Sequence, residues 1–251
     1  ELKFPDLDSY NKKEKAYYDE HWRNIGDVRE WEKHGFKSLV YHQIPAKELW
    51  HLINICATYS AEPGIFFLDN ANHFTNAKAY GQKVVCTNPC GEQPLAAYSV
   101  CNLAALNLAK MVDIKEKEIK WETLERTIKT SVRMLDNVID KTYYFLDENK
   151  KQALGERRIG LGVMGLHDLL IHSGLRYGSK EANLLLDRLF KFIATKSYEA
   201  SIEIAQEKGS FPFLEEFGSK EAFVEGAYIQ KLPLQIQKDI LKYGIRNSHL
   251  L

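Results

Sequence analysis

Three residues that could act together on a substrate stand at alternate positions near the middle of the sequence: Asn88, Cys90 and Glu92. Prolines at 89 and 94 favour extended backbone in the residues that precede them. In an extended chain, alternate side chains project to the same side. We therefore expect an amide, a thiol and a carboxylate in one row, with roughly 7 Å between alternate residues. Such a row could hold the hydroxyls of a substrate while the sulfur reaches a neighbouring carbon.

The cysteines do not follow the spacing of a metal site. Three of the four, Cys86, Cys90 and Cys101, fall within 16 residues, but they lack the two close pairs of zinc sites and contain no Cys-x-x-Cys redox motif. Cys56 lies in a helical pattern and is interpreted as a small buried hydrophobic residue. Cys86 is interpreted as a filler in the strand that leads to Cys90. The residues alone indicate a thiol–carboxylate site, with redox and nucleophilic chemistry both open.

Composition limits the classes of partner. The 251 residues include 34 basic and 34 acidic side chains, so no net charge recruits nucleic acid. No apolar stretch approaches the ~20 residues that cross a bilayer, and the polar start lacks a secretory signal. Few cysteines favour a reducing, cytoplasmic location.

The chain starts at Glu1, and its last residues, 244–251, have the pattern of the opening of a strand. We therefore expect an excerpt from a longer polypeptide.

The apolar patterns favour an α/β architecture, because strand candidates alternate with long helices. Residues 1–35 are predicted to be a loop-rich lead-in, and the segment 70–107 contains almost no helical period. The remaining elements are a helix at 46–60, a buried strand at 65–68, a helix at 121–145, a strand at 159–165, and further helices at 166–173, 180–207 and 233–243.

Several motifs in order resemble one family. Asn88-Pro89-Cys90-Gly91-Glu92 followed by Tyr98-Ser99-Val100-Cys101-Asn102-Leu103-Ala104-Ala105-Leu106-Asn107-Leu108 is similar to the finger loop of ribonucleotide reductase catalytic subunits. Ser60-Ala61-Glu62-Pro63-Gly64-Ile65-Phe66-Phe67 precedes it in the family's manner. Leu135-Asp136-Asn137-Val138-Ile139-Asp140 and Gly155-Glu156-Arg157-Arg158-Ile159-Gly160-Leu161-Gly162-Val163-Met164-Gly165-Leu166 follow. The resemblance covers most of the chain from about residue 30.

The resemblance implies a fold and a set of residue roles. Residues 1–251 would be part of the reductase α/β barrel, with a central finger loop at about 84–108 and the elements of the second half from about 120. Cys90 would be the thiyl radical that takes the 3′ hydrogen of a ribonucleotide, and it would lie buried inside the barrel. Glu92 would be the base on the 3′ hydroxyl, and Asn88 would orient the substrate and Glu92. Cys101 would be one half of a redox-active dithiol whose partner lies outside this sequence.

The resemblance also implies cofactors and partners. The residues around Cys90 and the interval to Cys101 look most like the adenosylcobalamin-dependent class, and a class I enzyme with a separate metal-radical subunit is the alternative. The full enzyme would reduce a ribonucleoside diphosphate or triphosphate for DNA synthesis and would use a thioredoxin-like dithiol. Nucleotide effectors and a homodimer belong to the same expectation. The fragment alone is expected to be inactive.

Two other functions are alternatives to ribonucleotide reduction. Gly160, Gly162 and Gly165 satisfy the dinucleotide-binding pattern, which predicts an NAD- or flavin-dependent oxidoreductase. However, the residues that precede them are too polar for the buried strand that this motif requires. The second alternative is a non-catalytic remnant, in which Cys90, Glu92 and Cys101 would have no role.

Overall fold

The computed structural model describes residues 1–250, except for the side chain of Asn24. The chain divides into two compact units, one formed by residues 1–73 and 82–97, the other by residues 74–81 and the chain from residue 98 onward. The first unit contains the catalytic-loop candidates Asn88, Cys90 and Glu92, and the second contains Cys101.

The first unit is richer in regular structure than the predicted lead-in. Its elements are β1 (Leu2–Pro5), α1 (Lys12–Ile25), α2 (Val28–Lys33), β2 (Ser38–His42), α3 (Ala46–Ser60), α4 (Leu68–Phe74), β3 (Cys86–Thr87) and β4 (Pro94–Leu95). The prediction of loops over residues 1–35 is wrong. Asn11 and Glu14 form a reciprocal capping box at the start of α1, and this arrangement stabilises a helix N-terminus. Trp31, which is fully buried, anchors α2.

The prediction for residues 46–60 is confirmed, whereas the strand at 65–68 is not. Helix α3 spans Ala46–Ser60, although none of its residues is buried. Residues 65–67 have no regular structure and are exposed, and Leu68 begins α4 instead. A short apolar run needs a neighbouring strand to satisfy its backbone groups, and none pairs with it among the described residues.

The second unit places one parallel strand pair among helices. Strand β5 (Asn102–Asn107) pairs with β8 (Ile159–Met164), with Asn102 opposite Ile159 and Asn107 opposite Met164. The other elements are β6 (Val112–Asp113), β7 (Glu118–Ile119), α5 (Trp121–Lys141), α6 (Asp147–Glu156), α7 (Leu166–His172), α8 (Lys180–Lys208), α9 (Pro212–Phe217), α10 (Lys220–Val224) and α11 (Leu234–Tyr243). The predicted strand at 159–165 and the four predicted helices of this half are confirmed, α5 ending four residues early.

The core of this unit lies between the strand pair and its longest helices. Helix α5 presents Leu124, Ile128, Val132 and Leu135 at three- and four-residue intervals, and all four are buried. This periodicity puts them on one face of the helix. Helix α8 packs against α5, and it ends where Gly209 caps its last turn. The α/β prediction is therefore confirmed in this unit.

The last described residues run along the second edge of β8. The backbone N–H groups of Ile159 and Leu161 donate to the carbonyls of His249 and Leu250, at 3.1 and 2.8 Å. The segment has no strand assignment of its own, but these bonds extend the sheet beyond β8. The prediction that residues 244–251 open a strand is met only by these two hydrogen bonds, because residues 244–250 contain no strand and Leu251 lies outside the described residues.

The glycines of the dinucleotide pattern do not form a phosphate-binding loop. Gly160 and Gly162 lie within β8, opposite Leu103 and Ala105, whereas that motif needs them in the turn between a strand and a helix. Gly165 alone begins a helix, with a φ of 71°. A Cβ at Gly165 would lie 3.2 Å from the backbone nitrogen of Ala109. These glycines serve strand pairing and close packing.

Candidate active site

The residues around Cys90 form the tip of a short antiparallel hairpin. Cys86 of β3 is opposite Leu95 of β4, and the N–H of Val85 donates to the carbonyl of Leu95 at 2.9 Å. Thr87 is opposite Pro94, so six residues, 88–93, connect the strands. The hairpin brings both ends of this loop together and leaves its middle at the tip.

A tight turn reverses the chain at Asn88-Pro89-Cys90-Gly91. The N–H of Gly91 donates to the carbonyl of Asn88 at 3.0 Å, and Gly91 has a φ of 82°. The sequence suits this turn: asparagine is favoured at the first position, proline at the second and glycine at the fourth. The predicted extended row of side chains is therefore wrong. The preference of residues 88–91 for a turn outweighed the preference of Asn88, which precedes a proline, for extended backbone.

The turn nevertheless joins two of the three candidate residues. The side-chain amide of Asn88 donates from Nδ2 to Oε1 of Glu92 at 2.5 Å. Its Oδ1 accepts from the backbone N–H of Gln93 at 3.0 Å. Because both ends of the amide are engaged, Asn88 fixes one oxygen of Glu92 and leaves the other for a further partner. The contact agrees with the orienting role that the family resemblance implies for Asn88, and that role stays a prediction.

Cys90 and Glu92 are exposed at the tip of the hairpin. The expectation of a buried Cys90 is thus not met within residues 1–250. The physical reason is local: a two-residue strand pair ends just before the turn, and the hairpin supplies no side chain over the tip. The exposed sulfur and carboxylate are accessible to groups from outside this chain.

Cys101 stands at the start of the parallel strand pair in the second unit. It directly precedes β5, is partly buried, and its sulfur contacts the carbonyl of Asn102 at 3.8 Å. The Asn102 side chain donates from Nδ2 to the carbonyl of Leu135 at 2.8 Å, which fastens this end of β5 to α5. Within the described residues Cys101 forms no disulfide, and its backbone is well anchored.

The other two cysteines are also free thiols, with different surroundings. Cys86 lies in the strand that leads to the turn, as expected, but it is exposed, and its sulfur contacts the carbonyl of Leu95 at 3.9 Å. Cys56 is only partly buried, so the interpretation as a core residue is wrong. Helix α3, which carries it, has no buried residue.

A buried charged network, which sequence reasoning missed, fixes the start of β8. The carboxylate of Asp136 is fully buried and accepts from Arg157 Nε at 2.8 Å and from Asn247 Nδ2 at 3.1 Å. Arg246 Nε lies 3.4 Å from its other oxygen. Although burial opposes it, the hydrogen bond and charge of Arg157 hold the pKa of Asp140 below its ordinary value. The sequence did carry a signal for this network, because charged residues stand among apolar neighbours in the motifs 135–140 and 155–166.

Comparison with known proteins agrees with this geometry. The model of the family described as "Ribonucleotide reductase, barrel domain" matches residues 3–251. The chain belongs to the ribonucleotide reductase family. The match covers both units, including the hairpin of Cys90 and the strand that follows Cys101. The family assignment thereby confirms the recognition from sequence and the barrel-domain fold.

The individual relatives include vitamin B12-dependent ribonucleoside-diphosphate reductases. The one from Thermoplasma acidophilum is 40% identical over 173 residues, which are 69% of this chain and 22% of the relative. The one from Mycobacterium tuberculosis is 41% identical over 170 residues, or 68% of this chain and 24% of the relative. A ribonucleoside-diphosphate reductase subunit alpha from Chlamydia pneumoniae is 28% identical over 97% of the chain. The chain spans less than a quarter of the length of these relatives.

No helix of the described residues is both long enough and apolar enough to cross a membrane.

Proposed function

We propose that this chain carries the radical-bearing cysteine and one reducing cysteine of an enzyme that converts ribonucleotides to 2′-deoxyribonucleotides. One observation supports this most directly: the Asn88 amide holds the Glu92 carboxylate at the tip where Cys90 is exposed. A thiol, a carboxylate and its orienting amide are the groups that removal of a hydrogen and a hydroxyl from a sugar requires. The family assignment supports the same reaction.

Each residue of the hairpin has a separate task in this proposal. Cys90, as a thiyl radical, takes the 3′ hydrogen of the ribose and later returns a hydrogen. Glu92 accepts the proton of the 3′ hydroxyl, which eases departure of the 2′ hydroxyl as water. Asn88 keeps Glu92 in place through Nδ2. Exposure of the tip in residues 1–250 means that the rest of the polypeptide must shield the radical from water.

Cys101 supplies the reducing equivalents in this proposal. Loss of the 2′ hydroxyl as water and its replacement by hydrogen requires two electrons and two protons, and a dithiol provides both as it closes to a disulfide. Cys101 would be one thiol of this pair. Its partner lies outside residues 1–251, and neither Cys56 nor Cys86 is assigned to it. An external dithiol such as thioredoxin would reopen the disulfide by thiol exchange.

We further propose adenosylcobalamin as the radical source, because relatives of the chain are named vitamin B12-dependent. The exposed Cys90 fits such a source, since a group held outside this chain can approach its sulfur. When bound, the cofactor would supply the one-electron chemistry that side chains cannot perform. No residue of this chain is assigned to binding it. Cys90 receives the radical, and the turn of Asn88 and Gly91 keeps its position fixed.

The remaining assignments concern the whole enzyme. A ribonucleoside diphosphate is the proposed substrate, because the relatives carry that name, and the triphosphate is the alternative. Nucleotide effectors, a homodimer and a cytoplasmic location are proposed with it. Residues 1–251 alone are expected to be inactive, because the partner of Cys101 and the cofactor site lie elsewhere.

Replacing Cys101 with serine in the full-length protein tests the proposed function. We expect Cys101→Ser to lose multiple-turnover reduction, because a serine hydroxyl cannot form the disulfide. Cys56→Ser is the control and should retain turnover. Mass spectrometry after a single turnover of prereduced enzyme should find Cys101 in a disulfide and Cys56 free. A fully reduced Cys101 after product formation would contradict the assignment.

Replacing Asn88 with aspartate tests the orienting contact. Asn88→Asp keeps an oxygen that can accept from the Gln93 N–H, but it replaces the Nδ2 donor with a second negative oxygen beside Glu92. A hydrogen bond to a charged group contributes about 1.5–3 kcal/mol, so kcat should fall roughly 10- to 150-fold. The pH profile of kcat should also shift.

Gln93→Ala is the matched control for Asn88→Asp. It preserves the backbone N–H that Asn88 accepts from and removes only a partly buried side chain, so kcat should stay within about threefold of wild type. If Asn88→Asp had the same kcat and pH profile as wild type, the contact between Asn88 and Glu92 would have no catalytic role.

A further inference from the structure

A cavity lies on the second unit, and none of the residues that line it has been assigned a role. It has a volume of about 390 Å³ and is lined by Lys117, Glu118, Ile119, Trp121, Ser173, Leu185 and Arg188. The lining comes from the end of the β6–β7 hairpin, the start of α5, the end of α7 and the first half of α8. Its size lies within the range of roughly 300–1,000 Å³ found for small-molecule sites.

Arg188 presents an oriented cation to this cavity. The carbon at the centre of its guanidinium lies 4.7 Å from the centroid of the Trp121 ring. Phe192 in turn packs against Trp121, with ring centroids 4.9 Å apart and planes at 64°. Stacking on a ring restrains the plane of a guanidinium and leaves its N–H groups available as donors. The arrangement of these groups matches the oxygens of a carboxylate or phosphate. Among the described residues, no carboxylate forms an ion pair with Arg188.

Lys117 provides a second cation. Its side chain passes over Gly174, where an added Cβ would lie 3.5 Å from Cδ and 3.6 Å from Nζ of Lys117. Within the described chain, Lys117 also has no carboxylate partner. The cavity lining therefore carries two cations against one anion, Glu118. An oxyanion bound here would gain attraction from both cations.

The rest of the lining is apolar, with one unsatisfied hydroxyl. Ile119 is buried, and Trp121 and Leu185 are partly buried. The hydroxyl oxygen of Ser173, which borders the cavity, is buried and has no hydrogen-bond partner among the described residues. Such a group costs free energy unless a partner satisfies it. The site thus combines cations, an apolar wall and an unused hydroxyl.

We propose that this cavity binds a small organic oxyanion, a phosphate monoester or a carboxylate that carries a hydrophobic ring. Arg188 and Lys117 hold the anionic oxygens, and Trp121 and Leu185 contact the ring. Inorganic phosphate satisfies only the cations, so it binds more weakly. This site is independent of the reaction proposed for Cys90.

Calorimetric titration of the full-length protein with phenyl phosphate, benzoate and inorganic phosphate tests the site. We expect an organic anion to bind at least tenfold more tightly than inorganic phosphate. Tighter binding of phenyl phosphate would identify a phosphate monoester as the ligand class, and tighter binding of benzoate a carboxylate. Equal affinity for inorganic phosphate and both organic anions would overturn the proposal, because the apolar wall would contribute nothing.

Two variants locate the binding. Lys117→Gln and Arg188→Gln, made separately, should each weaken binding about tenfold or more, because each removes a charged contact. Arg176→Gln, which changes an exposed arginine outside the cavity, should leave the affinity unchanged. A crystal of the full-length protein soaked with 4-bromophenyl phosphate should show anomalous signal between Lys117 and Arg188. Unaltered affinity in both cavity variants, or bromine only elsewhere, would overturn the proposal.

Discussion

Replacing Cys90 with serine in the full-length reductase should reduce the formation of deoxyribonucleotide to the detection limit. Serine has nearly the same shape as cysteine, and the tip of the hairpin is exposed, so neither packing nor the turn should change. The chemistry changes instead, because a hydroxyl holds its hydrogen more strongly than a thiol and does not form the radical under the same initiator. The expected loss therefore reports the sulfur of Cys90 itself.

The matched control is Cys86→Ser. Cys86 is also an exposed, free cysteine of the same hairpin, but it lies in β3 before the turn and has no assigned role. Product formation measured by chromatography should be close to that of wild type for Cys86→Ser, with equal thermal midpoints for both variants. If Cys90→Ser retained normal reduction, residues 1–251 would not contain the radical site, and the alternative of a non-catalytic remnant would stand.

Removing the carboxylate of Asp136 should produce the largest loss of stability. Asp136→Ala leaves Arg157 and Arg246 in the interior without the anion that they share. It also removes the acceptor of Asn247 Nδ2. Breaking a buried ion pair by deleting one partner costs about 3–5 kcal/mol. Arg157 keeps its ion pair with Asp140 at 2.8 Å, which places the expected value toward the lower end of that range.

Hydrogen exchange of the full-length protein can measure this loss locally. The amides of β8 and of residues 245–250 should exchange faster in Asp136→Ala, because both segments depend on the network of Arg157, Arg246 and Asn247. Glu207→Ala is the control. Its ion pair with Arg133 joins α5 to α8, but both partners are well exposed, and such pairs contribute less than about 1 kcal/mol. Equal exchange in the two variants would contradict a stabilising role for the buried network.

The sequence determined the regular helices of the second unit because their apolar residues repeat at helical intervals. Leu124, Ile128 and Val132 all became core residues of α5. The same rule identified α3, although nothing in residues 1–250 buries it. Helix α1 was missed, even though Asn11 and Glu14 have the spacing of a capping box. The capping-box spacing is a local helix signal, but the many polar and turn residues of this segment favoured the prediction of a loop.

The identities of the candidate catalytic residues also came from the sequence, whereas their arrangement did not. Asn88, Cys90 and Glu92 follow from residue type and from the motifs they share with one family. The extended row was wrong, because the turn closed by Asn88 and Gly91 competes with extended backbone, and pairing of Cys86 with Leu95 decides between them. The same pairing creates the contact of Asn88 with Glu92.

Only the tertiary structure could show which distant residues meet. Asp136, Arg157 and Asn247 are separated by many residues along the chain and converge because α5, β8 and the final segment pack together. The cavity of Arg188 and Lys117 arises in the same way. Local propensity depends on neighbours within a few residues, so it determines where helices start and which residues can do chemistry. Burial and charge pairing depend on long-range packing, so they decided what holds the strand beside Cys101.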